Sequence, residues 1–71
     1  MSFGERIRQL REKHGFNQSY IAKYLQVSQV SVSNWERGIK QPSYQVLIDL
    51  AALYSVSCDY ILGVTENAKR Y

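Results

Sequence analysis

Five residues suited to capping a helix, Ser2, Asn17, Ser28, Ser43 and Ser57, punctuate this chain at intervals of 11 to 15 residues. An N-cap oxygen accepts a hydrogen bond from an amide of the first helical turn, and a glycine past the last turn takes the left-handed conformation that ends it. Glycines stand at such stops, Gly15, Gly38 and Gly63. A chain punctuated this way folds into short helices. Ser2 and Glu5 form a capping-box pattern, with Phe3, Ile7, Leu10 and His14 at helical spacing behind it, which predicts a helix over 3–14. Asn17 caps a second helix through Leu25, with an apolar stripe of Ile21, Ala22 and Leu25. Ser28 opens a third that Gly38 closes, and IKQP (39–42) is a loop. Ser43 opens a fourth helix ending near Tyr54, whose buried stripe is Leu47, Leu50, Ala51 and Tyr54. Ser57 opens a fifth, Cys58 to Leu62. Residues 1–64 form one domain, and the polar stretch 65–71 is expected to be a flexible tail.

With 71 residues there is room for one small core, since a domain of this size buries only about 60% of the surface its unfolded chain exposes. A single cysteine, Cys58, and a single histidine, His14, leave no internal disulfide and no cysteine-histidine zinc site. No apolar run reaches the roughly 18 residues that span a bilayer, and charges occupy the N-terminal stretch where a signal peptide needs apolar residues. The expectation is a cytoplasmic protein with no membrane partner. The net charge is +3, with seven of nine Lys and Arg but three of six acids before position 43. That gradient suits a polyanion partner, and equally a solvated helix face.

The stretch VSQVSVSNWERG, 27–38, alternates like a strand yet begins on a cap and ends on a stop. At 100° per residue, Val32, Trp35, Glu36 and Ile39 share one side, and Val30, Ser33, Asn34 and Arg37 the other. Only Gln26 and Val27 separate the end of the second helix from the Ser28 cap, a helix-turn-helix arrangement. In this motif the second helix enters the DNA major groove, where every base pair shows its own pattern of donors and acceptors.

The segments ERIRQLRE, NQSYIAKYL, VSQVSVSNWERG, QPS, LIDLAALYSVS and DYILG occur in an order that strongly resembles the phage-repressor and Cro-type helix-turn-helix family, also called the xenobiotic-response-element type. The resemblance runs from about Phe3 to Gly63. It implies an all-α, five-helix, lambda-repressor-like domain with the helix-turn-helix at helices two and three. The implied function is a bacterial or phage-encoded regulator, most simply a repressor, that binds a near-palindromic double-stranded DNA operator as a homodimer and needs no cofactor.

Residue by residue, the resemblance implies that Ser28, Gln29, Val30, Ser33 and Asn34 face the groove. The amides of Gln29 and Asn34 suit an adenine edge, and Val30 suits a thymine methyl group; the competing reading tucks Val30 against Val27. Asn17, Gln18, Lys23, Arg37, Lys40 and Tyr44 are the implied phosphate contacts, with the amides opening helices two and four adding neutral ones. Arg11 and Glu36 are implied to form a structural ion pair. Val56, Tyr60, Ile61 and Val64 are the candidates for a dimer interface, with core positions for some of them as the alternative. One departure is Gln26, where the family frequently has glycine because the turn there tends to positive φ.

No paired carboxylates, glycine-rich phosphate loop or nucleophile with a base partner argue for an enzyme. His14 is read as a helix-end residue, Cys58 as a small core residue, and Tyr20, Tyr24, Tyr54 and Tyr60 as core or rim. An antitoxin, or another protein-interaction module on the same fold, would carry nearly the same sequence and take a protein partner.

Overall fold

A computed structural model describes residues 1–69; positions 70 and 71, the end of the expected flexible tail, lie outside the described residues. The elements are α1 (Phe3–Lys13), α2 (Gln18–Leu25), α3 (Gln29–Glu36), α4 (Tyr44–Tyr54) and α5 (Cys58–Leu62), with no strand among the described residues. All five expected caps form. Ser2, Asn17, Ser28, Ser43 and Ser57 each accept an amide hydrogen bond from the third residue beyond them, and at α1 the Ser2 amide in turn donates to the Glu5 carboxylate. Each cap satisfies an amide that the helix itself leaves without a partner.

The helices enclose one core of Ile7, Leu10, Ile21, Ala22, Val32, Trp35, Val46, Leu50, Ala51, Tyr54, Val56 and Ile61. α1 runs along the back of the domain and packs against both α3 and α5, while α2 packs on α3 and α4 on α5. Phe16 joins α1 to α2 and stacks on Tyr20 with ring centroids 4.5 Å apart, and His14 sits 4.9 Å from the Tyr54 ring. His14 is otherwise exposed, its Nδ1 2.8 Å from the Leu10 carbonyl oxygen.

Several side chains depart from their expected places. Ile39 is exposed rather than on the buried side of α3, because Gly38 (φ 75°) turns the chain and the helical face cannot be extended through it. In α4, Val46 takes the fully buried place expected of Leu47, which is half-buried at the edge of the stripe. Cys58 is exposed, being the first residue of a five-residue helix whose inward side is taken by Ile61.

The described part of the tail is docked. The Ser57 amide donates to the Ala68 carbonyl at 3.2 Å, Ala68 packs against the core, and Glu66 bonds Arg6 at 2.7 Å. Tail polarity predicts fraying, but residues 65–69 are held by these contacts and by local hydrogen bonds. The Asn67 amide donates to Thr65 Oγ1 and the Lys69 amide to Asn67 Oδ1.

Candidate nucleic-acid interface

The turn between α2 and α3 is built by two residues. Gln26 adopts φ 60° and ψ 45°, the left-handed conformation that a non-glycine residue reaches only at a cost, and thereby reverses the chain. The Val27 amide then donates to the Ala22 carbonyl at 2.9 Å, closing the end of α2, and Ser28 caps α3 at once. This tight connection holds the two helices at a set angle.

α3 divides sharply by face. Val32 and Trp35 are buried in the core, whereas Gln29 and Val30 are exposed and Ser33 and Asn34 half-buried. Val30, in the first turn of α3, retains 68% exposure, a large value for an aliphatic residue, and is not tucked under the preceding turn. Ser28 is exposed, but its hydroxyl is engaged as the cap and lies 2.9 Å from Ser31 Oγ. The Asn34 carbonyl accepts from the Ile39 amide at 2.9 Å, which folds the following loop back over the helix end. Its side-chain amide is not consumed by that bond.

Around this face, Asn17, Lys23, Arg37, Lys40 and Tyr44 are all exposed, Tyr44 to 86%. Asn17 accepts the Tyr20 amide through Oδ1, and Arg37 is the C-cap of α3. Behind the face lies a polar cluster. Arg11 Nε and Nη2 donate to the two Glu36 carboxylate oxygens at 2.7 and 3.0 Å, and Nη1 donates to the Phe16 carbonyl at 3.0 Å. Gln18 Nε2 donates to the Glu36 Oε1 oxygen at 3.1 Å. Hydrogen bonding to Glu36 raises the Arg11 pKa above its usual value. The forked pairing suits a guanidinium and a carboxylate that are nearly buried. Gln18, expected at a phosphate, is thus also tied to the ion pair, a link that residue spacing could not reveal.

The four dimer candidates separate. Val56 and Ile61 are core residues, Ile61 with no exposed surface, and cannot present themselves to a second chain; the helical pattern of so short a helix does not distinguish its inner from its outer apolar residues. Tyr60 is half-buried and carries the Arg6 guanidinium over its ring at 3.8 Å. Val64 is 73% exposed. Arg6 itself, at 1% exposure, was not anticipated: a charge on an apolar-patterned helix gives no sign of burial until its partners are known.

A helix-turn-helix family model matches residues 7–61. Among curated proteins, the chain is 39% identical over 70 residues to the HTH-type transcriptional regulator ImmR of Bacillus subtilis, a match spanning 99% of this chain and 55% of that protein. It is 39% identical over 59 residues to repressor protein C2 of Salmonella phage P22, covering 83% of this chain and 27% of that one. Among solved structures, the P22 c2 repressor in complex with a synthetic operator superposes with a TM-score of 0.81 at 37% identity, covering 87% of this chain and 94% of that one. A transcriptional regulator from Listeria innocua gives 0.84 at 31% identity, covering 87% and 58%. The chain belongs to the phage-repressor, xenobiotic-response-element type of helix-turn-helix proteins, a family of transcriptional regulators rather than enzymes. It spans about half the length of the curated relatives ImmR and DicA. Among the described residues no helix is long and apolar enough to cross a membrane.

Proposed function

We propose that this chain is the sequence-specific double-stranded-DNA-binding module of a transcriptional repressor, acting as a dimer on a near-palindromic operator with α3 in the major groove. The observation that carries the reading is the exposure of Val30 on a helix whose opposite face is core. An aliphatic side chain held in water without a protein partner suits a methyl-bearing base edge. Gln29 and Asn34 flank it as amides that pair with an adenine edge, and Ser28 and Ser33 complete the face. The operator-bound P22 c2 repressor, of the same fold, supports DNA as the ligand.

Asn17, Gln18, Lys23, Arg37, Lys40 and Tyr44 are proposed to contact phosphates, which set register and salt dependence without specifying bases. Gln18 would do so with the donor and acceptor groups that its bond to Glu36 leaves available. A second copy is proposed to pack on the exposed surface beyond α5, where Val64 is accompanied by Leu62 and edged by Tyr60.

Selection of bound sites from a random duplex library tests the whole reading. It should return two inverted half-sites separated by about one helical turn, and binding to the selected site should weaken steeply as salt is raised. Recovery of no enriched sequence, with no duplex binding at low salt, would sink the proposal and leave a protein-binding module such as an antitoxin.

A further inference from the structure

α1 carries two inward-facing arginines, Arg6 and Arg11. Five residues apart, they point in directions about 140° apart around the helix. Arg11 engages Glu36 on α3. Arg6 engages Glu66, beyond α5, at 2.7 Å, and its guanidinium carbon stands 3.8 Å from the centre of the Tyr60 ring of α5. The Arg6 side chain is 2% exposed whereas that of Glu66 is 80% exposed, so a buried guanidinium reaches out to seize a surface carboxylate. Among the described residues the Nε of Arg6 has no hydrogen-bond partner and Glu66 is the one carboxylate it pairs with.

A second tie lies farther along, where the Ala68 carbonyl accepts the Ser57 amide and the Ala68 methyl group covers part of the core. Around these ties, Thr65, Asn67 and Lys69 form one wall of a 360 Å³ cleft whose other wall is Ser57, Cys58 and Asp59. The remaining bonds of the segment, Asn67 amide to Thr65 and Lys69 amide to Asn67, are internal and would move with it. None of these hydrogen bonds involves α2 or α3.

We propose that residues 65–69 are a releasable strap, latched by Arg6 across α1 and α5, which opens as a unit while the α2–α3 reading pair remains folded. Opening removes one wall of the cleft and frees the Arg6 guanidinium from Glu66. The arrangement lets the chain beyond α5 move without disturbing the DNA-reading face. Physically, a segment with few buried apolar groups and two anchoring bonds opens at a lower free energy than the core it covers.

The Ser57 amide reports on the latch directly, because the donor is on the body of the domain and its acceptor on the strap. Hydrogen exchange of the intact chain is measured with and without Glu66→Ala, which removes only an exposed side chain where Arg6→Ala would empty a buried site; the α3 amides report any wider loss of structure. Exchange of the Ser57 amide should accelerate roughly tenfold, with the Val32 and Trp35 amides of α3 unchanged. Unaltered Ser57 exchange would overturn the latch. Equal acceleration at Ser57, Val32 and Trp35 would overturn its independence from the reading pair.

Discussion

Gly4 stands against Glu36 so closely that a Cβ added to it would lie 2.6 Å from the Glu36 carbonyl oxygen, with the Trp35 oxygen only 2.7 Å away. The first turn of α1 therefore rests directly on the backbone at the end of α3. Both neighbouring atoms belong to the main chain and have no rotamer through which to yield.

Gly4→Ala accordingly sets two effects in opposition. Alanine favours the helix by about 1 kcal/mol, but forcing a methyl group into backbone costs on the order of 1–3 kcal/mol. The steric effect wins because α1 and α3 must separate. Thermal denaturation should show a lower Tm for Gly4→Ala; an unchanged or higher Tm would mean the helices part without loss.

Removal of Arg11 strands the Glu36 carboxylate, whose side chain is 5% exposed, with the Gln18 amide as its remaining side-chain donor. Arg11→Ala should cost roughly 3–5 kcal/mol, measurable by urea unfolding. A double variant, Arg11→Met with Glu36→Leu, should recover much of that loss, since the penalty arises from an unpaired buried charge. Loss of DNA binding with full stability would contradict this assignment.

Gln26 and Ser55 hold φ values of 60° and 54°. Glycine at either position relieves left-handed strain of about 1 kcal/mol, partly offset by the greater freedom of the unfolded chain. Gln26→Gly and Ser55→Gly should each raise the stability by a few tenths to about 1 kcal/mol, with additive effects because they lie in separate turns. Chemical denaturation midpoints check both.

Burial, more than the nearby Glu36 carboxylate, pushes the Tyr54 phenol up from 10.0 to about 12. The neutral phenol is thus favoured in the folded state. Its contribution to stability is complete below pH 10 and is lost as pH rises through about 12. Stability measured between those values should fall less steeply in Tyr54→Phe than in the parent chain. On the acid side, the Arg6 hydrogen bond holds the Glu66 carboxyl below its usual 4.5, so its contribution is present above that value and fades as pH falls beneath it.

Val30 is exposed, so Val30→Ser should leave the Tm within about 0.5 kcal/mol equivalent of the parent. Its effect should fall on specificity, relaxing the preference at one position of each half-site by roughly 1 kcal/mol. Lys40→Ala should instead weaken all sequences alike and reduce the salt slope by about 1. Site selection with each variant separates the two behaviours.

What could be read directly from the residues was local in origin. A serine or asparagine oxygen meets an amide three residues on, and a glycine reverses the chain beside it, so the five helices, their caps and the short turn at Gln26 and Val27 followed from neighbours in the chain. The outward position of Val30 followed too, because helical periodicity alone places it opposite Val32 and Trp35. Only the tertiary structure decided which apolar residues of the short α5 turned inward, taking Ile61 and also Val56 from the surface. It likewise decided that Arg6 is buried, that Glu66 sixty residues away is its partner, and that Gly4 is required by a helix it meets only after folding. Such choices depend on atoms distant along the chain, and no local preference for helix, cap or turn encodes them.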